Sequence, residues 1–552
     1  MTSRHALIGH TIAVLVYGVL AVLLVDHGAP LGKVILGLSS DPLLFIWCLA
    51  WWPHAVLQNL DPLHVWLLWQ PGGIDLAWIT SVPFLALLAA PVTLSFGPLV
   101  SYNLLAIAAP CLAACSAYLL CFYVSRRPVA AFCGGLVFGF SSYEMAESLE
   151  HLNLAFSAFV PLLLLVVLLR LDNRLRRGSA AGLFALLLAG QFYISIEVAA
   201  TSLFFGALAW ALALRLCPER RFVLHRLVPD GILAGAFAVP LLLPFLWDMA
   251  FRPRQILVPP GWSIVTSTHL FNLLVTTPAY VFYLPGFRDG ASGLLGLVPQ
   301  SDFSTGLPFL VLIILFLREQ GRTPRGKFLL IALLGLLVAS LGPQLWLGGK
   351  FTGLPMPWVV MSYVPLLNAA LPARFALYAS LALALILTLW AGKSRWRALL
   401  VGFAWLVTLA PPHPVTPAPI SSFFQPGHVQ AALGPDARVL ILPATNKNSP
   451  GLWQVSGFLQ AENEFGFVQT TGYLGIPPQS MQRYAAIREL AFGLPAPHFA
   501  ADVAILSAAT HTQFILAGPD TPPALVEQLN TLPWPHRWVD DTLVYSVQNT
   551  AP

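Results

Sequence analysis

From Ala6 to Val25 the chain runs twenty residues without an Asp, Glu, Lys or Arg, and ten further apolar stretches follow before residue 412. Backbone withdrawn from water must satisfy its own hydrogen bonds, and runs of this length do so as membrane-crossing helices. Spans are expected at 6–26, 100–124, 128–143, 152–170, 178–195, 198–216, 228–247, 306–318, 327–345, 372–390 and 396–411. A chain of 552 residues that is 57% hydrophobic and only 10% charged cannot be a soluble one.

The basic residues report the topology. With Arg4 cytoplasmic, six clusters (Arg4, Arg126-Arg127, Arg170 to Arg177, Arg215 to Arg226, Arg318 to Lys327 and Lys393 to Arg397) fall on one side and hold 18 of the 29 Lys and Arg. The opposite loops between spans hold Lys33, Arg252, Arg254, Arg288, Lys350 and Arg374. Positive charge favours the cytoplasmic side, so the orientation follows. It also explains the net charge of +5 without a nucleic-acid partner. No small-residue cleavage site follows the first span, which is therefore expected to be a retained helix rather than a signal peptide.

This parity requires Trp78 to Phe96, apolar enough to cross, to be re-entrant or interfacial, and Pro83 and Pro91 break it accordingly. The first external loop, about 26 to 98, then holds Asp41, Asp61, Asp75, His54, His64 and six tryptophans. It is expected to lie as amphipathic juxtamembrane helices, a lid-like platform on the bilayer. Asp41 closes Leu38-Ser39-Ser40-Asp41-Pro42 just ahead of the Trp-dense run Ile46 to His54. A carboxylate at a membrane surface among aromatics is costly unless used, and otherwise reads as a helix cap.

After residue 411 the composition changes. A proline-rich segment, 412–424, is expected as an extended linker, and 425–552 as a small α/β domain outside the cytoplasm. Strands are expected at Ala437–Pro443, Ala501–Leu506, Thr512–Ala517 and Thr542–Val547, and helices at Ser480–Phe492 and Pro522–Leu529. All six cysteines lie in the membrane part, so no disulfide staples this domain. Cys111 and Cys115 share a helix face but lack partners at metal-ligand spacing, and read as packing residues.

The second external loop repeats Glu144, Glu147 and His151 at i, i+3 and i+7, one helical stripe, with Glu150 beside His151. Carboxylates with an imidazole can perform acid/base work or hold a divalent cation, whereas a solvated loop helix would show the same pattern. Glu197 adds a carboxylate at the same depth. Arg252 and Arg254 open the loop 248–305, and Arg374 opens the tenth span. Guanidinium at an external helix start suits a phosphate, although anchoring arginines look alike.

The order of a first span, a long loop with Asp41-Pro42, Trp-rich helices, Asn59-Leu60-Asp61-Pro62, Gln70-Pro71-Gly72-Gly73, Gly134 to Ser142 and His151-Leu152-Asn153-Leu154 resembles the GT-C superfamily of membrane glycosyltransferases, and within it the bacterial YfhO-type branch. The likeness covers the membrane part and, more loosely, the C-terminal domain. It implies a polytopic α-helical membrane protein of about eleven spans in a bacterial inner membrane, with an extracytoplasmic site. It implies a polyprenyl-phosphate sugar donor, an extracytoplasmic glycan, lipid or protein acceptor, and inversion at the anomeric carbon. By position Asp41 matches the first-loop acid that acts as base or orients the acceptor. Glu150 and His151 lie where the second loop contributes a polar or acidic residue, and Arg374 where a late-span arginine meets the lipid phosphate. Arg252 and Arg254 are further phosphate candidates, and His54, Asp61, Glu144 and Glu197 substrate candidates. The chain departs from the pattern at Asp61, where many relatives carry Asn-Pro directly. It also lacks an Asp-x-Asp pair, so a divalent cation stays an open alternative to arginine. Two other classes remain in play: a lipid-linked saccharide flippase, which favours charges buried mid-span, and a non-enzymatic scaffold, which tolerates loss of Asp41.

Overall fold

The computed structural model describes residues 3–37, 41–256, 262–270, 306–347, 350–364, 367–409, 412–425, 427–442, 449–459, 464–472, 477–492 and 498–548. Leu38 to Ser40 of the Asp41 loop and most of the loop 248–305 lie outside them. The chain forms two compact units, one of Met1–Gly28, Ala106–Leu242 and Pro259–His413, the other of Ala29–Leu105, Leu243–Val258 and Pro414–Pro552.

In the first unit every expected span contains helix. Across the described residues seven helical segments are long and apolar enough to cross a membrane: Ile8–Asp26, Pro98–Ser125, Pro128–Glu147, Leu152–Leu171, Ile196–Leu216, Pro218–Phe251 and Pro372–Ala391. The helices at Arg177–Ile194, Gly306–Gln320, Pro324–Ser340 and Arg395–Val407 run 13 to 18 residues. The core gathers around helix Ala376–Ala391, buried along almost its whole length. Apolar helices in lipid gain little from one another by hydrophobicity, so close backbone approach must hold them. Gly139 shows it: a Cβ there would stand 2.4 Å from the Ala114 amide nitrogen.

In the second unit the stretch Trp78 to Phe96 breaks as expected into helices Pro83–Leu88 and Ala90–Phe96. At 1.5 Å per residue each spans about 10 Å, too short to cross. The expectation of amphipathic platform helices does not hold for helix Asp41–Leu57. From Pro42 to Ala55 it is buried almost all round, because residues on every face of it, not on one, pack into protein.

The C-terminal domain is a five-stranded mixed sheet. With strands numbered β1 (Val34–Leu36), β2 (Val415–Pro417), β3 (Arg438–Leu442), β4 (Val468–Gln469), β5 (Phe514–Ala517), β6 (His536–Val539) and β7 (Thr542–Ser546), the order is β6-β7-β5-β3-β4. β3 runs parallel to β4 and β5, and β7 runs antiparallel to β5 and β6. The expected strand Ala501–Leu506 is instead part of helix Phe499–Thr510. Its buried residues Phe499, Val503, Leu506, Ser507 and Thr510 follow the helical period, which the short apolar run concealed. The proline-rich segment does not run free either. β2 pairs antiparallel with β1, the Asp541 carboxylate accepts from Ser421 Oγ and the Ser422 and Phe423 amides, and Phe423 and Phe424 enter the domain core.

Candidate functional site

In the first unit, helix Pro128–Gly139 ends at Phe140, and Ser141 caps a new turn, Ser142–Glu147, by accepting from the Glu144 amide. The expected single stripe is therefore broken: Glu147 ends this turn and His151 precedes the next, Leu152–Ala155. The two side chains still meet, His151 Nδ1 lying 2.8 Å from Glu147 Oε2, both buried. Glu144 is sealed from solvent and accepts from Ser157 Oγ, while its second oxygen has no hydrogen-bond partner among the described residues. Glu150, partly exposed, sits in the turn behind Glu147.

Glu197 lies in the first turn of helix Ile196–Leu216, capped by Ser195. Its carboxylate accepts from the Leu371 amide at 2.9 Å and from Arg374 Nη1. Arg374 closes the turn Pro372–Phe375 that opens helix Ala376–Ala391. Glu197 and Glu147 both act electrostatically on Arg374, and Tyr143 feels Glu147, Glu144, Arg374 and Glu197. The Tyr143 hydroxyl is a further buried group without a partner among the described residues. The arrangement is thus one arginine among three glutamates and a histidine, all at helix ends. His413 closes this unit: Nε2 lies 3.1 Å from the Met145 carbonyl and 3.3 Å from Ser148 Oγ, and its amide donates to Leu24 O. Burial pushes its imidazole down to about 4.

In the second unit, Asp41 is the first residue of its helix and half-buried, a position where a carboxylate complements the helix dipole. A hairpin aligns His64 with Asp75. Gly73 makes it fit, since its φ is +66° and a Cβ there would meet the Val65 carbonyl at 2.7 Å. His64 Nδ1 stands 2.8 Å from Asp75 Oδ1. Arg252 joins Asp75 at 3.0 Å, Asp61 at 3.1 Å and Asp248 at 3.4 Å. Expected to face a phosphate, its guanidinium is committed to three carboxylates. Arg254 lies over the Trp78 ring at 4.6 Å, and His54 packs edge-on against Phe465 at 5.0 Å.

Of the expected residues, the structure brings Glu144, His151, Glu197 and Arg374 into one cluster and Asp61 and Arg252 into another. Tyr143, Ser157, Asp248 and His413 were not anticipated. Ser157 lies beyond any helical register with Glu144, and His413 sits in a proline-rich run that signals no burial. No group of three or more His, Cys, Asp or Glu among the described residues converges as a metal centre.

No protein-family model and no curated protein matches the sequence. Solved structures do. The chain superposes over its full length on 40% of the arabinofuranosyltransferase AftD from Mycobacteria, with TM-score 0.55 and 14% identity. A looser superposition, TM-score 0.45 and 12% identity over 98% of this chain and 75% of the other, relates it to the Archaeoglobus fulgidus oligosaccharyltransferase AglB in complex with an inhibitory peptide and a dolichol-phosphate, and no weight rests on it. The chain spans well under half the length of AftD. Helical architecture, apolar segments and full-length superposition together show that this chain shares the fold of that arabinofuranosyltransferase over the part of it that it spans.

Proposed function

We propose that this protein is an inverting glycosyltransferase that moves a sugar from a polyprenyl-phosphate donor, entering from the bilayer, to an extracytoplasmic acceptor. A fold hosts many activities, so residues must support the reading. The observation that carries it is the cluster in which half-buried Arg374 pairs with half-buried Glu197 beside the buried Glu147 and Tyr143, with a Glu144 oxygen and the Tyr143 hydroxyl unpartnered among the described residues. Unsatisfied buried polar groups are expensive and mark places where a ligand completes the hydrogen bonding.

Transfer needs a base for the acceptor hydroxyl and a cation for the departing phosphate. In this reading Asp41 takes the proton as the acceptor oxygen attacks the anomeric carbon, and the polyprenyl phosphate leaves with the electron pair of the C–O bond. Arg374 keeps one N–H on Glu197, which fixes the plane of the guanidinium, and gives its remaining donors to the phosphate. Glu144 and Tyr143 face sugar hydroxyls, and Glu147 sets the tautomer of His151. All these charges lie at helix ends rather than mid-helix, which favours transfer over a flippase path.

The test is sugar transfer by purified protein from a panel of synthetic polyprenyl-phosphate donors. Asp41→Asn preserves size and removes the base, so turnover should fall roughly 10²–10⁴-fold with donor binding nearly intact. Comparable rates in mutant and wild type would remove Asp41 from the mechanism, and no transfer with any such donor would remove the enzyme class.

A further inference from the structure

The helix that begins with Asp41 is held from both sides by the last 140 residues of the chain. Ahead of it, β1 ends at Leu36 and pairs with β2. The Gly37 amide donates to Pro414 O, and Thr416 Oγ1 donates to the Gly37 carbonyl at 2.8 Å. β1 has no other strand partner among the described residues. Asn103 completes the grip, accepting from the Leu36 amide and donating to Leu31 O and Val34 O.

Two turns into the helix the second hold begins. The Trp47 indole donates to Gln454 Oε1 at 2.8 Å, and Gln469 donates to the same oxygen at 3.0 Å. Gln454 Nε2 donates to Phe467 O and Leu67 O. Both glutamines are fully buried. The segment 67–70 adds backbone bonds at the β4 edge: the Gln469 amide donates to Leu67 O, the Gln70 amide to Gln469 O, and the Trp69 amide to Thr471 O. Phe465 closes the contact against Trp47 and Trp51. A buried amide with each polar atom paired locks one geometry, because any slip leaves several groups unpaired at once.

We propose that the C-terminal α/β domain, together with the proline-rich segment that leads into it, is the positioning element of the Asp41 helix, with Gln454 and Thr416 as positioning residues that act on Asp41 through Trp47 and Gly37. This rests on the reading of Asp41 as base. It assigns the domain a role within the catalytic cycle rather than in binding an independent partner. Loosening either hold should lower the fraction of time Asp41 spends in attack geometry, which lowers kcat and spares donor affinity.

The test uses full-length protein in nanodiscs with two variants, Thr416→Val, nearly isosteric, and Gln454→Met. Amide hydrogen exchange over residues 41–57 should quicken about tenfold in each. In the donor panel kcat should fall about tenfold with the donor KM within about twofold. Wild-type exchange across this helix in both variants overturns the proposal, as does faster exchange with unchanged kcat. Asp41→Asn is measured alongside: it should keep wild-type exchange and lose turnover, and full activity there overturns the base assignment while the exchange result still decides whether the domain holds the helix. Thr416→Val keeps the outcome readable if Gln454→Met does not fold.

Discussion

His413 should make the folded protein acid-sensitive in a defined window. Its Nε2 faces the Met145 carbonyl at 3.1 Å, which places the proton there in the neutral ring. Nδ1 is buried without a hydrogen-bond partner among the described residues. Protonation therefore has to put a charged N–H into a site with nothing to receive it, and the folded-state value drops to about 4, against about 6.5 in an unfolded chain. The sign follows directly. Between those values the unfolded chain binds the proton and the folded one does not, so stability falls as pH falls. The loss is about 2 kcal/mol at pH 5 and saturates near 3 kcal/mol below pH 4. The assay is thermal unfolding in nanodiscs from pH 7.5 to pH 5 for wild type and His413→Phe. The variant gives up about 1 kcal/mol of hydrogen bonding at neutral pH but should lose less than wild type on acidification. Parallel pH dependences in the two proteins would refute the reasoning.

Other outcomes follow from sites already described. Gly139→Ala drives a methyl into the Ala114 backbone and should destabilise by about 2 kcal/mol or more, read as a lower melting temperature. Arg374→Lys keeps the charge but loses the fork, so donor binding measured by calorimetry should weaken by about 1–3 kcal/mol in a folded protein; unchanged affinity reduces Arg374 to a structural partner of Glu197. In a cysteine-depleted background, Cys at position 176 should resist impermeant reagent that labels Cys at position 427, and labelling at 176 from outside would invert the topology.

The length of the apolar runs made the helices legible, because it is a property of a segment and its solvent. Proline placement exposed the broken stretch Trp78 to Phe96 in the same way. What the sequence hid were relations between distant residues. Arg252 reads as a free cation until Asp61 and Asp75, some 180 residues earlier, close on it. Glu144 and Glu147 read either as acid/base groups or as a solvated stripe, and only tertiary packing, which buries them, separates the two. Arg374 was singled out by its place at a helix start, but nothing local announced Glu197 as its partner. The proline-rich segment reads as a free linker for the converse reason: its composition describes an unattached chain, and β1 supplies the attachment.

The β1–β2 pair has a consequence for biogenesis. Its two strands are separated by about 380 residues, and at 5–20 residues per second the ribosome needs roughly 20–80 s to make the second after the first. During that interval the Trp-rich Asp41 segment exists without the partner that orders it. It must be shielded by lipid, by the insertion machinery or by a chaperone, and a chain truncated after helix Arg395–Val407 but before Val415 would keep the apolar helices yet leave that segment exposed to surveillance proteases.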